Sequence, residues 1–163
     1  MSKYNDHVNE LWDEWMAETE QVSGDPDEFV DWAMSQKRLV PHPQDIKGMV
    51  RRQVTQSLRQ AKRYDEEGGF TYRARQSVTL FHGGEARKHY FDTDNGGSPT
   101  LRQKSVKQRR KAIADHVYRA VCDTERMNKV HPHEEQLNLF TDFTDDVAEL
   151  RFEEQEEVMK KPG

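Results

Sequence analysis

The sequence predicts an α+β fold that is mostly helical, with one β-hairpin. Three observations predict it. Apolar residues recur at three- and four-residue spacing through most of the chain, as amphipathic helices require. Between residues 70 and 94 the period falls to two, and Gly83-Gly84 interrupts it. The 163 residues are 33% hydrophobic and 34% charged, so one modest core under a heavily charged surface is expected.

Val8, Leu11, Trp12, Trp15 and Met16 fall on one helical face, so a first helix is expected over about 4–21, its stripe in the core. Asp25 is placed to cap a second helix, Pro26 suits its first position, and Glu28 completes a capping-box pattern. Phe29, Val30, Ala33 and Met34 give that helix its apolar face, and Pro41 and Pro43 break the chain. A third helix is expected from about Gln44 to Tyr64. Its buried stripe is Ile46, Val50, Val54, Leu58, Ala61 and Tyr64, and Gly68-Gly69 ends it.

Tyr72, Ala74, Val78 and Leu80 then lie at even spacing, and Thr71, Thr79, Tyr90 and Phe91 favour strands. Gly83-Gly84 marks the hairpin turn, and a two- or three-residue loop would give different registers. Ser98-Pro99 opens a long helix to about Met127, with Val106, Ile113, Val117 and Val121 on its apolar face. An acidic helix is expected over Asp145–Lys160, with the last few residues of the chain frayed. The organisation is then a helical domain over 1–130, carrying the hairpin at about 70–94, and an acidic C-terminal segment over 131–163.

Net charge is −5, but its layout says more. Residues 1–36 hold one Lys against ten Asp and Glu. Residues 37–112 hold eighteen Lys and Arg against seven acids, and residues 113–163 hold six against thirteen. Such asymmetry points to a polyanion partner for the middle, to acidic arms folded over it, or to both.

No stretch approaches the roughly 20 apolar residues of a membrane span, so no membrane partner is expected. The opening Met1-Ser2-Lys3-Tyr4-Asn5-Asp6 lacks a signal-peptide pattern. Cys122 is the single cysteine, expected as a buried inert thiol, and a cytoplasmic location follows.

Catalytic chemistry finds little support. His131 and His133, beside Glu134 and Glu135, lack the cysteine pair that would make a zinc pattern, so a solvated loop and no metal are expected. Asp92-x-Asp94-x-Gly96-Gly97 fails the calcium-loop pattern, with Gly at its fifth position and Gln103 at its twelfth. Cys122 and His116 are six residues apart, a poor helical spacing for a nucleophile and its base. Phosphate-loop and dinucleotide glycine motifs are missing, so neither a cofactor nor an enzymatic activity is expected.

Nucleic-acid binding fits better. Arg51, Arg52, Arg59, Lys62 and Arg63 coat the third helix. Arg73, Arg75, Arg87 and Lys88 sit on the hairpin, and Arg102, Lys104, Lys107, Arg109, Arg110 and Lys111 crowd the next helix near its start. Cations there oppose the helix dipole, which phosphates or the acidic arms would relieve. Such residues contact DNA phosphates, giving salt-sensitive binding with little sequence reading. Tyr72, Tyr90 and Phe91 would add stacking on a single strand. Helices followed by a hairpin loosely resemble a winged-helix unit, which would imply a DNA-binding regulator, with acidic arms serving a homodimer. Acidic arms that dock on another chain would instead fit a subunit of a larger complex.

One peptide stands apart. Gln136-Leu137-Asn138-Leu139-Phe140 resembles the pentapeptide by which bacterial proteins dock on the DNA polymerase sliding clamp. The resemblance covers five residues and implies a role for each. Gln136 would hydrogen-bond at the pocket rim, Leu137 pack on its shoulder, Leu139 and Phe140 fill hydrophobic subsites, and Asn138 face outward. Burying each large apolar side chain would contribute about 1.5–3 kcal/mol before ordering costs, so roughly micromolar affinity is expected. On this reading the protein is a non-catalytic accessory of DNA replication or repair. The bland alternative makes Leu137, Leu139 and Phe140 a strand or core plug beneath the acidic helix.

Overall fold

The computed structural model describes residues 3–40 and 45–161. The expected chain break at Pro41 and Pro43, the helix start at Gln44 and the very ends of the chain lie outside the described residues. Among the described residues five helices and four strands follow in order: α1 Lys3–Thr19, α2 Pro26–Ser35, α3 Ile46–Gln60, β1 Lys62–Asp65, β2 Phe70–Arg73, β3 Arg75–His82, β4 Glu85–Asp92, α4 Pro99–Val130 and α5 Thr144–Lys160. The fold is α+β and mostly helical. By its contacts the chain forms two compact units, Met1–Arg52 and Gln53–Gly163.

The first unit is an aromatic mini-core. Asp25 caps α2, its carboxylate accepting the Asp27 amide at 2.9 Å, with Pro26 in the first turn. Leu11 and Trp15 of α1 are buried with Phe29 and Ala33 of α2, and Val8, Trp12, Met16, Trp32 and Leu39 close around them. Trp12, Trp15, Phe29 and Trp32 lie with neighbouring centroids 5.2–5.9 Å apart, a spacing at which aromatic rings attract. Val30 and Met34, expected on the buried face, are exposed instead. The α2 stripe is centred on Phe29 and Ala33, which rotates those two outward. Arg38 closes the unit with a two-point pair to Glu14, 2.7 Å at each contact, and this partner holds the Glu14 carboxyl below its ordinary range.

The third helix is shorter than expected. It ends at Gln60, and Tyr64 belongs to a strand. Ile46, Val50, Val54 and Tyr64 are exposed, and none of α3 is buried. Gly68-Gly69 therefore ends no helix. It turns a second, shorter hairpin, with Gly69 at φ +70°, and Lys62 pairs with Arg73 through to Asp65 with Phe70. The physical reason is Asp65, whose carboxylate accepts the Gly68 amide and whose carbonyl accepts the Gly69 amide, both at 2.8 Å. These bonds close a tight turn that outcompetes another helical turn.

The expected hairpin is β3–β4. Its loop has two residues, Gly83 at φ +57° and Gly84 at φ +82°, the left-handed pair that matches strand twist. The register runs from Arg75 opposite Asp92 to His82 opposite Glu85. Val78 and Ala74 are buried, and the two hairpins join where the Ala74 amide donates to Ala61 and the Thr93 amide donates to Ala74. This first hairpin stands between α3 and the wing position, so the element order departs from a winged-helix unit.

Helix α4 starts at the Ser98 cap, which accepts the Leu101 amide, and runs three residues past Met127. It lies along the free edge of β3. The Gln108 side chain accepts the Thr79 amide at 2.8 Å and donates to the Thr79 carbonyl at 3.0 Å, filling an edge site that another strand would otherwise pair. Its expected apolar face is largely unburied. Val106 and Ile113 are exposed, Val117 and Val121 half-buried, and Ser105 alone is buried. Cys122, expected in the core, is half-buried. Helix α5 buries no residue and packs against β2.

Candidate nucleic-acid interface and docking peptide

The basic residues divide sharply by what neutralises them. Arg63 is held within the fold: its guanidinium meets Asp92 at 2.6 Å and Asp94 at 2.7 Å. Asp92 also accepts the amides of Asp94 and Asn95. Arg63 and these amides hold the Asp92 carboxyl far below its ordinary range. The loop that lacks a calcium pattern is thus a carboxylate nest around an arginine. Arg87 pairs with Glu85 and Lys111 with Asp115, each at 3.1 Å, while Arg102 donates to the Gly96 carbonyl. Arg51 and Arg52 lie in the first unit. Arg75 is half-buried, and Arg110 lies on an apolar groove.

Three of the expected phosphate contacts come together with Arg109. Arg59 at the end of α3, Arg73 on β2 and Lys88 on β4 line a cleft of about 290 Å³ against α4, with Gln76, Ser77, Thr79, Ser105, Gln108 and Arg109. Arg73, Gln76 and Arg109 also line a second cleft, about 450 Å³, whose other walls are Lys62, Thr71, Tyr72 and Glu154. Among the described residues no carboxylate forms an ion pair with Arg59, Lys62, Arg73, Lys88 or Arg109. Burial, and then the neighbouring Arg73 charge, lower the pKa of Arg109. Two guanidiniums sharing a trough without an ion-paired carboxylate favour an anion between them. On the outer side of α4, Lys104, Lys107 and Lys111 line a shallow depression.

Arg109 is the member that helical crowding hid in the sequence. Its neighbours Arg110 and Lys111 carry equal charge, and only the packing of α4 against β3 selects it. The aromatic residues also rearrange. Tyr72 donates its hydroxyl to Asp94 at 3.0 Å, and the Tyr90 hydroxyl is buried without a partner. Tyr72, Tyr90 and Phe91 are all half-buried, whereas Phe81, one residue from the tip strand end, is exposed. Of the hairpin's phenylalanine and tyrosine rings, Phe81 is the most open to a base.

The pentapeptide lies between α4 and α5, outside any helix or strand. All five residues are exposed, and Phe140 reaches 80% of full exposure. Asn128 of α4 grips the backbone of Leu137: the Leu137 amide donates to the Asn128 Oδ1 at 2.8 Å, and Nδ2 donates to the Leu137 carbonyl at 2.9 Å. Beyond the peptide, Thr141 and Phe143 line an apolar groove with Ile113, Val117 and Val121. Asp142 accepts from Thr144 at the start of α5, which lowers the Asp142 pKa. The preceding turn is exposed and closed by the Glu134 amide donating to the His131 carbonyl at 3.2 Å, and the His131 ring lies 3.8 Å from the Glu134 carboxylate.

Comparison with protein-family models, with curated proteins and with solved structures returns no match. Among the described residues no helix is long and apolar enough to cross a membrane.

Proposed function

We propose that this chain is a non-catalytic accessory of DNA replication or repair. It docks on the bacterial sliding clamp through Gln136, Leu137, Leu139 and Phe140, and it touches DNA phosphates through the basic face of its second unit. The observation that carries the reading is the state of the pentapeptide. A core plug would bury Leu137, Leu139 and Phe140, yet all three are exposed. The backbone of Leu137 is already held by Asn128, which lowers the ordering cost of binding.

The DNA contribution centres on Arg59, Lys62, Arg73, Lys88 and Arg109, with Lys104 and Lys107 alongside. Arg63 is spoken for by Asp92 and Asp94. Tethering to a clamp that encircles DNA raises the local concentration, so weak phosphate contacts suffice. The chemistry of the clamp is then recruitment or blocking. Calorimetric titration of a bacterial clamp with the intact chain, against a Leu139→Ala/Phe140→Ala variant, tests the reading.

A further inference from the structure

We propose that α5 is a removable acidic cover over the phosphate cleft, with Glu154 standing where a DNA phosphate would otherwise bind. This rests on the DNA-contact reading above and adds its regulation. Helix α5 carries seven Asp and Glu against two Lys and Arg. It leans on β2, and Glu154 Oε1 accepts the Thr71 amide at 2.6 Å. That contact places the carboxylate in the wall of the Lys62–Tyr72–Arg73–Arg109 cleft, without a direct ion pair to any of those cations. The carboxylate is close enough to lower the potential of the cleft, and it is not locked into it.

The attachment is slight. No residue of α5 is buried, and its N-cap residue, Phe143, offers no side-chain hydrogen bond. Beyond the Glu154 bond, Arg151 sits over the Phe70 ring at 5.8 Å, and Gln155 lies beside Gly69. A helix held by one hydrogen bond and one exposed cation–π contact opens readily, since such contacts are individually weak. Arg73 and Arg109 are exposed beside it, so opening would act by removing the Glu154 carboxylate and a net negative helix from their rim. DNA binds the open form only, so its apparent affinity is reduced by the closed fraction.

Arg151 gives the test its sign. It does not line the cleft, so Arg151→Ala loosens the cover without touching the phosphate contacts. It also removes a positive charge, which by simple electrostatics weakens DNA binding. A cover predicts the reverse: affinity for a DNA duplex or single strand rises by about two- to fivefold, the shift expected for losing an exposed cation–π contact. Glu154→Gln, which keeps the acceptor for Thr71, should also tighten binding. Arg73→Ala/Arg109→Ala should weaken it and lower the slope of log affinity on log salt by about two.

Fluorescence anisotropy with a labelled 20-mer over a salt series, with folding checked by circular dichroism, reads all of these. If the intact chain binds DNA but Arg151→Ala binds equally or more weakly, the cover is overturned and the DNA contact survives. An unchanged salt slope in Arg73→Ala/Arg109→Ala likewise overturns this cleft as the phosphate site. Binding only by Arg151→Ala and Glu154→Gln upholds the cover and overturns DNA contact by the closed chain. Binding by none of them at low salt overturns both.

Discussion

Asn128 and Leu137 form a two-point hydrogen bond in which one side-chain amide satisfies both the N–H and the C=O of the residue it faces. Gln108 does the same for Thr79 on the edge of β3. In each case α4 supplies a side chain that stands in for a neighbouring strand. At Thr79 the device seals an edge. At Leu137 it pins a segment whose side chains remain outside.

Asn128→Ala should therefore loosen the peptide without unfolding the protein. Both partners are near the surface, so the loss of stability should stay at about 1 kcal/mol or less. Clamp affinity should fall by about two- to tenfold, the cost of ordering a freed segment on binding. Calorimetry beside a thermal melt separates the two effects.

Gln108→Ala should act differently. Removing it leaves the Thr79 amide and carbonyl without their partner beneath α4, at a cost of about 1–3 kcal/mol. The denaturation midpoint should drop, and hydrogen exchange at the Thr79 amide should accelerate.

Trp15→Ala removes the largest buried side chain of the first unit, next to Trp12 and Phe29. The expected loss is about 3–5 kcal/mol, which a two-helix core cannot absorb. Near-ultraviolet circular dichroism should lose the aromatic signal of that unit. The β3–β4 signals in a nuclear magnetic resonance spectrum, which belong to the other unit, should persist.

The Arg63–Asp92 pair sets an acid limit. The Asp92 pKa is held low in the folded chain, so its pairing stabilises the fold fully above about pH 4, the ordinary carboxylate value. That contribution is lost as the pH falls toward and through the lowered value. Asp92→Asn keeps an oxygen for the Asp94 and Asn95 amides while removing the charge. Its melting temperature should lie below that of the native chain at pH 7, and the gap should close as the solution is taken well below pH 4.

Much of this was legible in the sequence where local chemistry decides. Asp25-Pro26 and Ser98-Pro99 announce helix starts through capping, and Gly83-Gly84 announces a turn through positive φ. The α1 stripe gave its core because the residues on that face pack against a single neighbour. Periodicity failed where the neighbour was missing. Val50 and Val54 keep helical spacing on α3 and remain exposed, so spacing described a face and not what covers it. The first hairpin was hidden because Ala61 and Tyr64 continue the helical period, and only the Asp65–Gly68 turn contradicts it. Within the basic region, charge was visible but its neutralisation was not. Arg63 and Arg73 look alike in sequence, yet one is clasped by two carboxylates and the other faces Arg109 without one.

The most direct measurement is calorimetric titration of a bacterial sliding clamp with the intact chain and with the Leu139→Ala/Phe140→Ala variant. Both residues are exposed, so the variant should keep its circular dichroism spectrum and melting temperature. The account predicts roughly micromolar binding by the intact chain, about −8 kcal/mol, and its loss in the folded variant. No heat of binding from the intact chain, or equal binding by the variant, would contradict it.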